Sequence, residues 1–252
     1  MGHMLTISNS IISNNRTSVE AYVSEPAGEP KGGLIVIHEV WGLVDHTKDV
    51  ADRFAAEGYL VLVPDLLAET AMTPELATEL QATLSDPEQR SKVQPKLREL
   101  MAPLHAPGFA ERTLASLQAC FEHLYAIPAL AGRVAVSGFC FGGTYSFSLA
   151  VSEPRLRAAV PFYGHADLPV EQLRHIACPV LAFYGEKDAA LVDKLPELTE
   201  RMDEAGIGFA SVVYPGTGHA FFNDTNAWTY DADASEDAWQ RTLGFLAKSF
   251  AA

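Results

Sequence analysis

Apolar residues follow two rhythms along this chain: short, almost continuously apolar runs alternate with longer segments in which apolar residues recur every three or four positions. The short runs are typical of strands buried on both faces, and the longer segments are typical of helices that bury one face. We predict strands at residues 18–23, 33–38, 59–64, 133–137, 158–162, 180–184 and 209–214. We predict helices at residues 47–56, 112–125, 141–151, 191–205 and 236–250. This alternation indicates an α/β fold, with a doubly wound, mostly parallel sheet and helices on both faces.

Two regions depart from this alternation. Residues 5–23 contain Asn14-Asn15 between two strand-like runs, which predicts an antiparallel hairpin at the edge of the sheet. Residues 69–107 are charged and helical in pattern, and they are longer than a simple crossover needs. We interpret them either as a cap that contacts the substrate or as a pair of surface helices.

Composition narrows the class of protein. Residues 1–4, Met-Gly-His-Met, resemble an expression scar and are left out of the fold prediction, so that residues 5–252 form a single α/β domain. The net charge of −14 disfavours nucleic acid and anionic membranes as partners. No apolar stretch approaches the roughly 18 residues of a membrane span, and no signal-peptide pattern is present. Three cysteines without a C-x-x-C pair favour a reducing, cytoplasmic location and no disulfide or zinc framework.

Residues 134–144 read VAVSGFCFGGT and carry the clearest chemical signal. A β-branched run ends in the pattern G-x-Nu-x-G of a nucleophile elbow, with Cys140 where serine is usual. Gly138 and Gly142 leave room for a strand that turns at once into a helix. We expect the turn to place Cys140 in a cleft, where the helix dipole and a nearby histidine favour the thiolate.

Cys140, Asp188 and His219 follow one another along the chain in the order nucleophile, acid, histidine, which is the chain order of an α/β-hydrolase. Most free cysteines are small buried side chains, an interpretation that suits Cys120 and Cys178 but not Cys140. His219 follows a strand and is predicted to be the base, the alternative being a solvated surface histidine. Asp188 is predicted to hold the imidazole tautomer, the alternative being a cap of the following helix.

A carboxylate stands where an oxyanion loop is expected. Glu39 directly follows an apolar strand. It is either a second partner that gates Cys140, or a carboxylate that is exposed or paired with a base elsewhere. The backbone N–H groups of Val40 and Phe141 are the predicted oxyanion donors.

The remaining histidines show neither H-E-x-x-H nor clustered ligand spacing, and no G-x-G-x-x-G or P-loop motif is present. We therefore expect no metal and no cofactor. We interpret as structural or solvated the six histidines His38, His46, His105, His123, His165 and His175.

Together, five motifs resemble the dienelactone hydrolase family of α/β-hydrolases, in the family's order and over most of residues 18–250. They are VIHEVWGL at 36–43, VPDL at 63–66, GFCFGG at 138–143, FYGEKD at 183–188 and YPGTGHAF at 214–221. The resemblance implies a triad of Cys140, His219 and Asp188 that hydrolyses an ester or lactone through an acyl-cysteine, without a cofactor. It also implies that Glu39 contacts the resting thiol until substrate transfers Cys140 to His219.

One departure from the family concerns the substrate. Family members that bind a dienelactone hold its carboxylate with arginines, one of them a few residues after the catalytic histidine. This chain has AFFND at 220–224 and no arginine there, although Arg90 and Arg98 could supply a cation. Asn223 can hydrogen-bond a carboxylate but cannot form a bidentate ionic clamp. The remaining predicted substrate contacts are apolar or aromatic: Trp41, Phe222 and Tyr145.

Two other function classes remain open at this point. The chain could be a ligand-binding module without turnover, or a redox sensor that oxidises at Cys140, although no resolving cysteine is evident. Within the enzymes, thioesterase and peptidase chemistry are alternatives to ester hydrolysis. The predicted partner is a small-molecule ester or lactone, and the sequence does not predict the oligomeric state.

Overall fold

Backbone hydrogen bonds join eight strands into one sheet in the computed structural model, which describes residues 2–9, 17–86 and 89–251. The strands are β1 His3–Asn9, β2 Thr17–Ser24, β3 Gly32–Ile37, β4 Tyr59–Pro64, β5 Val134–Phe139, β6 Ala159–Phe162, β7 Val180–Gly185 and β8 Phe209–Tyr214. Their order in the sheet is β1-β2-β4-β3-β5-β6-β7-β8. β2 pairs antiparallel with both β1 and β4, and the other pairings are parallel.

Helices cover both faces of this sheet because successive strand residues point to opposite sides. On β3, Leu34 and Val36 face a core that contains Phe54 and Trp239, whereas Ile35 faces a second core. The first core is built by the helices at residues 45–56 and 232–251, and the second mainly by those at 109–125, 141–152 and 195–205. This arrangement confirms the predicted α/β class. The helices are α1 Asp45–Ala56, α2 Pro74–Ser85, α3 Arg90–Met101, α4 Phe109–Tyr125, α5 Phe141–Ser152, α6 Val170–Leu173, α7 Ala189–Val192, α8 Leu195–Ala205 and α9 Ala232–Ala251.

The predicted helix at 191–205 is wrong in one respect, because it is two helices, α7 and α8. Pro196 lies in the first turn of α8, where an N–H has no partner within the helix, so its absence costs nothing. In the interior of one continuous helix, the same proline would remove a hydrogen bond and break the helix. The predicted start of α9 at residue 236 is late. Asp231 caps that helix by accepting a hydrogen bond from the Ala234 N–H at 3.0 Å, so the helix begins at Ala232.

The N-terminal hairpin is confirmed as an antiparallel pair at the sheet edge. β1 begins at His3, within the residues left out of the fold prediction, and His3 and Met4 pair with Val23 and Tyr22. The predicted turn at Asn14-Asn15 lies outside the described residues.

Residues 69–107 form α2, α3 and a short 3₁₀ turn at Ala102–His105. The two helices share a small core of their own, including Leu80 and Val93, which Trp41 and Phe141 join from the sheet side. Because this core reaches the residues on either side of the predicted site, the structure favours the cap interpretation over that of an isolated helix pair. No helix within the described residues has the length and apolar character needed to cross a bilayer.

The contact between α1 and α9 yields a prediction about stability. Phe54 is fully buried, and its ring centroid lies 4.3 Å from that of Trp239. We expect Phe54→Ala to lower the free energy of unfolding by about 3–5 kcal/mol, since it leaves a cavity between two helices and the sheet. Urea denaturation measures this loss. As a control, Met4→Ala at an exposed position should change the free energy of unfolding by less than about 0.5 kcal/mol. A similarly small change for Phe54→Ala would contradict the role of Phe54 in the packing between α1 and α9.

Candidate active site

Cys140 lies at a strained turn between β5 and α5. Its φ and ψ are 56° and −110°, which a non-glycine residue adopts only when its surroundings enforce it. The Cys140 N–H donates to the Phe162 carbonyl at 3.1 Å, and the Cys140 carbonyl accepts from the Thr144 N–H at 3.1 Å. These bonds hold the half-buried thiol at the carboxyl end of the sheet, as the elbow motif predicts.

The two elbow glycines are required by backbone contacts. A Cβ on Gly138 would lie 2.2 Å from the Gly142 carbonyl oxygen, and one on Gly142 would lie 2.1 Å from the Ile37 carbonyl oxygen. Real Cβ atoms do not approach backbone this closely. The spacing of the motif is therefore a packing requirement between β3, β5 and α5.

His219 joins Asp188 to Cys140. Its Nδ1 lies 2.5 Å from Asp188 Oδ2, and the imidazole lies close enough to the Cys140 thiol for Cys140 to affect the pKa of His219. Asp188 occupies the N-cap position of α7, yet its side chain makes no capping bond there. The Asp188 carboxylate therefore serves the histidine and not the helix. The structure thus brings together the three residues that the sequence singled out separately.

The charge state of His219 follows from these contacts. Burial disfavours the imidazolium, but the interactions with Asp188 and Cys140 outweigh it and raise the pKa of His219 to about 10. The imidazole is therefore protonated at neutral pH. The His219 side chain is still 43% exposed, so a substrate can reach it.

Glu39 is buried beside this group, with 4% of its surface exposed. Its Oε2 accepts a hydrogen bond from Asn223 Nδ2 at 2.6 Å, and its Oε1 has no hydrogen-bond partner within the described residues. Glu39 is therefore neither exposed nor paired with a base. Glu39 and Cys140 both lie close to Tyr163, and the contact between Glu39 and the resting thiol that the resemblance implies stays a prediction.

Tyr163 is a site residue that the sequence interpretation missed. It follows β6 directly, has a φ of 37° and is 1% exposed. Burial, and then the proximity of Glu39 and Cys140, raise the pKa of Tyr163 well above its usual range. Its ring centroid lies 5.0 Å from that of His219. The available signal was its position, because other site segments also follow the carboxyl ends of parallel strands.

The two predicted oxyanion donors come from adjacent segments. Phe141 is the first residue of α5, so its N–H has no partner within the helix. Within the described residues, no hydrogen bond uses the Val40 N–H. The close approach of Gly142 to the carbonyl oxygens of Ile37 and His38 places both segments side by side.

Two of the predicted substrate contacts are corrected by the structure. Phe222 is 1% exposed and packs in the core against Phe139, with the Arg53 guanidinium 5.5 Å from its ring centroid. Asn223 is also 1% exposed, and its amide is committed to Glu39. Both were predicted on proximity in sequence to His219. The chain turns inward at Ala220, whose φ is 61°, and carries both side chains away from the cleft.

The other predicted contacts stay at the surface of the site. Trp41 is half-buried and packs against the cap, and the Tyr145 ring lies 4.6 Å from that of Phe141. Arg98 is exposed on α3, and the side chain of Arg90 lies outside the described residues.

Comparison with known proteins adds an independent line of inference. The sequence pattern of the dienelactone hydrolase family matches residues 19–250. A protein of Saccharolobus solfataricus, provisionally named carboxymethylenebutenolidase, is 31% identical over 242 residues, which cover 90% of this chain and 93% of that protein. A protein of Methylorubrum extorquens with the same provisional name is 32% identical over 88% of this chain and 74% of its own. A crystal structure from Klebsiella pneumoniae, provisionally described as a dienelactone hydrolase, superposes with a TM-score of 0.76 at 27% identity, covering 97% of this chain and 99% of that one.

The raised pKa of His219 yields a prediction about pH. A group with a pKa of about 10 in the folded protein and an ordinary value of 6.5 stabilises fully below pH 6.5. That contribution is lost as the pH rises from 6.5 through 10. We therefore expect the gap in free energy of unfolding between the wild type and His219→Gln to be widest near pH 6 and to narrow towards pH 10.

Urea denaturation across this pH range measures the gap. His123→Gln replaces an exposed histidine and should give a small gap that does not change with pH. A gap for His219→Gln that stays constant from pH 6 to pH 10 would contradict the coupling of His219 to Asp188 and Cys140.

Proposed function

The chain belongs to the dienelactone hydrolase family of α/β-hydrolases, which are ester hydrolases, and on that basis we propose that it hydrolyses a lactone or small carboxylic ester through an acyl-cysteine intermediate. The observation that carries the proposal is the position of His219, which bonds Asp188 and lies beside Cys140 at the elbow. The proposed nucleophile is Cys140, with His219 as acid and base and Asp188 as its orienting carboxylate.

In the first half of the reaction, the Cys140 thiolate attacks the carbonyl carbon of the substrate. The carbonyl oxygen becomes an oxyanion, which the N–H groups of Val40 and Phe141 stabilise by hydrogen bonds. His219 gives its proton to the leaving oxygen as the ester bond breaks. In a lactone the leaving oxygen remains attached, so the ring opens.

In the second half, neutral His219 takes a proton from a water molecule that attacks the thioester. The same two N–H groups stabilise the second oxyanion, and the thiolate leaves as the acid forms. Asp188 keeps the proton on Nδ1, so that the other ring nitrogen faces the reacting atoms. The proposed reaction uses no cofactor and no metal.

Glu39 is proposed to act before the attack. Its Oε1 is buried without a partner within the described residues and lies in the same pocket as Tyr163 and Cys140. An unpaired carboxylate oxygen in such a place can accept a proton from a thiol. Substrate binding would then leave Cys140 ionised and bonded to His219.

The acyl group is proposed to be neutral and apolar. Both ends of the Asn223 amide are occupied, since Nδ2 bonds Glu39 and Oδ1 accepts from the N–H and hydroxyl of Thr225. Since Asn223 is also buried, its amide is out of reach of a substrate carboxylate. Trp41, half-buried against the cap, presents an aromatic surface beside the elbow.

A cytoplasmic location is part of this proposal. All three cysteines are free, and Cys120 and Cys178 are buried. Burial raises the pKa of each of these two thiols to about 12, so they are unreactive. A reducing compartment keeps the Cys140 thiol available for catalysis.

The test of the chemistry uses a panel of small aryl esters. We expect Cys140→Ala and His219→Ala each to lower kcat by at least about 10³-fold, because each removes a group that acts in the bond-breaking steps. Circular dichroism should show an unchanged fold. Cys178→Ala, which removes a thiol remote in sequence from the elbow, should retain turnover. A kcat for Cys140→Ala equal to that of the wild type would refute the proposal.

The test of the acyl preference compares dienelactone with neutral esters. We expect kcat/KM for dienelactone to be at least about tenfold lower than kcat/KM for the neutral esters. A factor of about ten is the approximate contribution of one hydrogen bond to a charged group. Arg98→Gln should leave both values unchanged. Efficient dienelactone turnover that Arg98→Gln abolishes would show that the cap supplies the cation, and would overturn the neutral-acyl proposal.

A further inference from the structure

His38 is fully buried at the end of β3 and makes two hydrogen bonds with backbone. Its Nδ1 lies 2.6 Å from the Glu39 carbonyl oxygen, and its Nε2 lies 3.1 Å from the Leu66 nitrogen. The sequence interpretation treated this histidine as structural or solvated. Its two partners show that the ring is held between the β3 and β4 loops.

These partners fix the tautomer. The Leu66 N–H can only donate, so Nε2 must be the acceptor. The Glu39 carbonyl can only accept, so Nδ1 must carry the hydrogen. Burial lowers the pKa of His38, which keeps the ring neutral in this one tautomer. The groups facing it are the charged Asp65 and the backbone of its own loop.

The bond from Nδ1 orients a particular peptide. The Glu39 carbonyl and the Val40 N–H belong to one planar trans peptide, so they point in opposite directions. His38 and the Gly42 N–H, the latter at 3.2 Å, both hold the carbonyl on one side. The Val40 N–H is thereby directed to the other side, and within the described residues it has no hydrogen-bond partner.

The same imidazole also contacts the second donor residue. The rings of His38 and Phe141 lie nearly parallel, at 8° with centroids 5.9 Å apart. A single buried side chain thus touches both segments that carry the oxyanion N–H groups. The His38 carbonyl oxygen also lies close to Gly142, so no space separates the two segments.

We infer that His38 is a positioning residue of the oxyanion site: it locks the Glu39–Val40 peptide so that the Val40 N–H faces the reacting carbonyl. The inference rests on the proposed acyl-transfer chemistry, in which an oxyanion forms twice. Without the Nδ1 bond, only the longer bond from the Gly42 N–H holds this carbonyl, and the Val40 N–H is misdirected in part of the molecules. His38 itself does not touch the substrate.

Two variants separate the two hydrogen bonds. The amide nitrogen of Asn occupies the place of Nδ1, so His38→Asn keeps a donor for the Glu39 carbonyl. The amide of Gln occupies the place of Nε2, so His38→Gln keeps an acceptor for the Leu66 N–H and loses the bond to Glu39. For an aryl ester we expect kcat to fall by about 10–100-fold in His38→Gln with KM little changed, because removing a donor costs about 10²–10³-fold. We expect a smaller loss in His38→Asn.

Alkylation of Cys140 by iodoacetamide distinguishes a positioning role of His38 from a merely structural one. This displacement needs the thiolate but forms no oxyanion. We expect its rate in both variants to stay within about threefold of the wild type, and His123→Gln should match the wild type in both assays. Alkylation that falls in parallel with kcat, or a kcat for His38→Gln equal to or above that of His38→Asn, would overturn the inference.

The outcomes also separate this inference from the proposed function. Wild-type turnover that depends on Cys140, with His38→Gln as active as the wild type, refutes the role of His38 and leaves the acyl-cysteine chemistry intact. Absence of any Cys140-dependent ester turnover in the wild type refutes both.

Discussion

The contact between Gly142 and the backbone at the end of β3 is the constraint on which the site depends. It sets the distance between the oxyanion segments, because a Cβ at Gly142 would lie only 2.1 Å from the Ile37 carbonyl oxygen. The same close approach forces Cys140 into its unusual backbone conformation, which two backbone hydrogen bonds then maintain. The strain at this one residue is offset by the buried sheet around it. Its consequence is a thiol that projects from a rigid frame towards His219.

Buried polar contacts hold the remaining parts of the site to that frame. The segment after His219 is fixed by Asn223, which bonds Glu39, and by Asp224, which bonds His46 of α1 at 2.9 Å. Farther along, the Asp231 N–H bonds the Phe221 carbonyl at 2.9 Å. A buried polar group is costly without a partner, so these bonds select one conformation of the segment. Two buried oxygens of the site, Glu39 Oε1 and the Tyr163 hydroxyl, have no hydrogen-bond partner within the described residues, and such exceptions concentrate where chemistry takes place.

The sequence was informative wherever position follows from local rules. Glycine spacing located the elbow, and the rule that parallel strands share a carboxyl edge brought Asp188 and His219 to the same place as Cys140. It was uninformative where long-range contacts decide. Phe222 and Asn223 follow His219 closely, yet the positive φ of Ala220 turns them inward to partners on α1 and in the loop after β3 that no spacing reveals. The role of His38 was missed for the same reason, since its partner Leu66 belongs to another loop.

The measurement that tests the central claim most directly is the mass of the enzyme after rapid acid quenching during turnover of an aryl ester. The account predicts an added acyl mass on the peptide that contains Cys140, removable by hydroxylamine as a thioester would be. It predicts none on the peptides of the buried Cys120 and Cys178. Turnover without any adduct under conditions that trap other acyl-enzymes, or an adduct on a different residue, would contradict it.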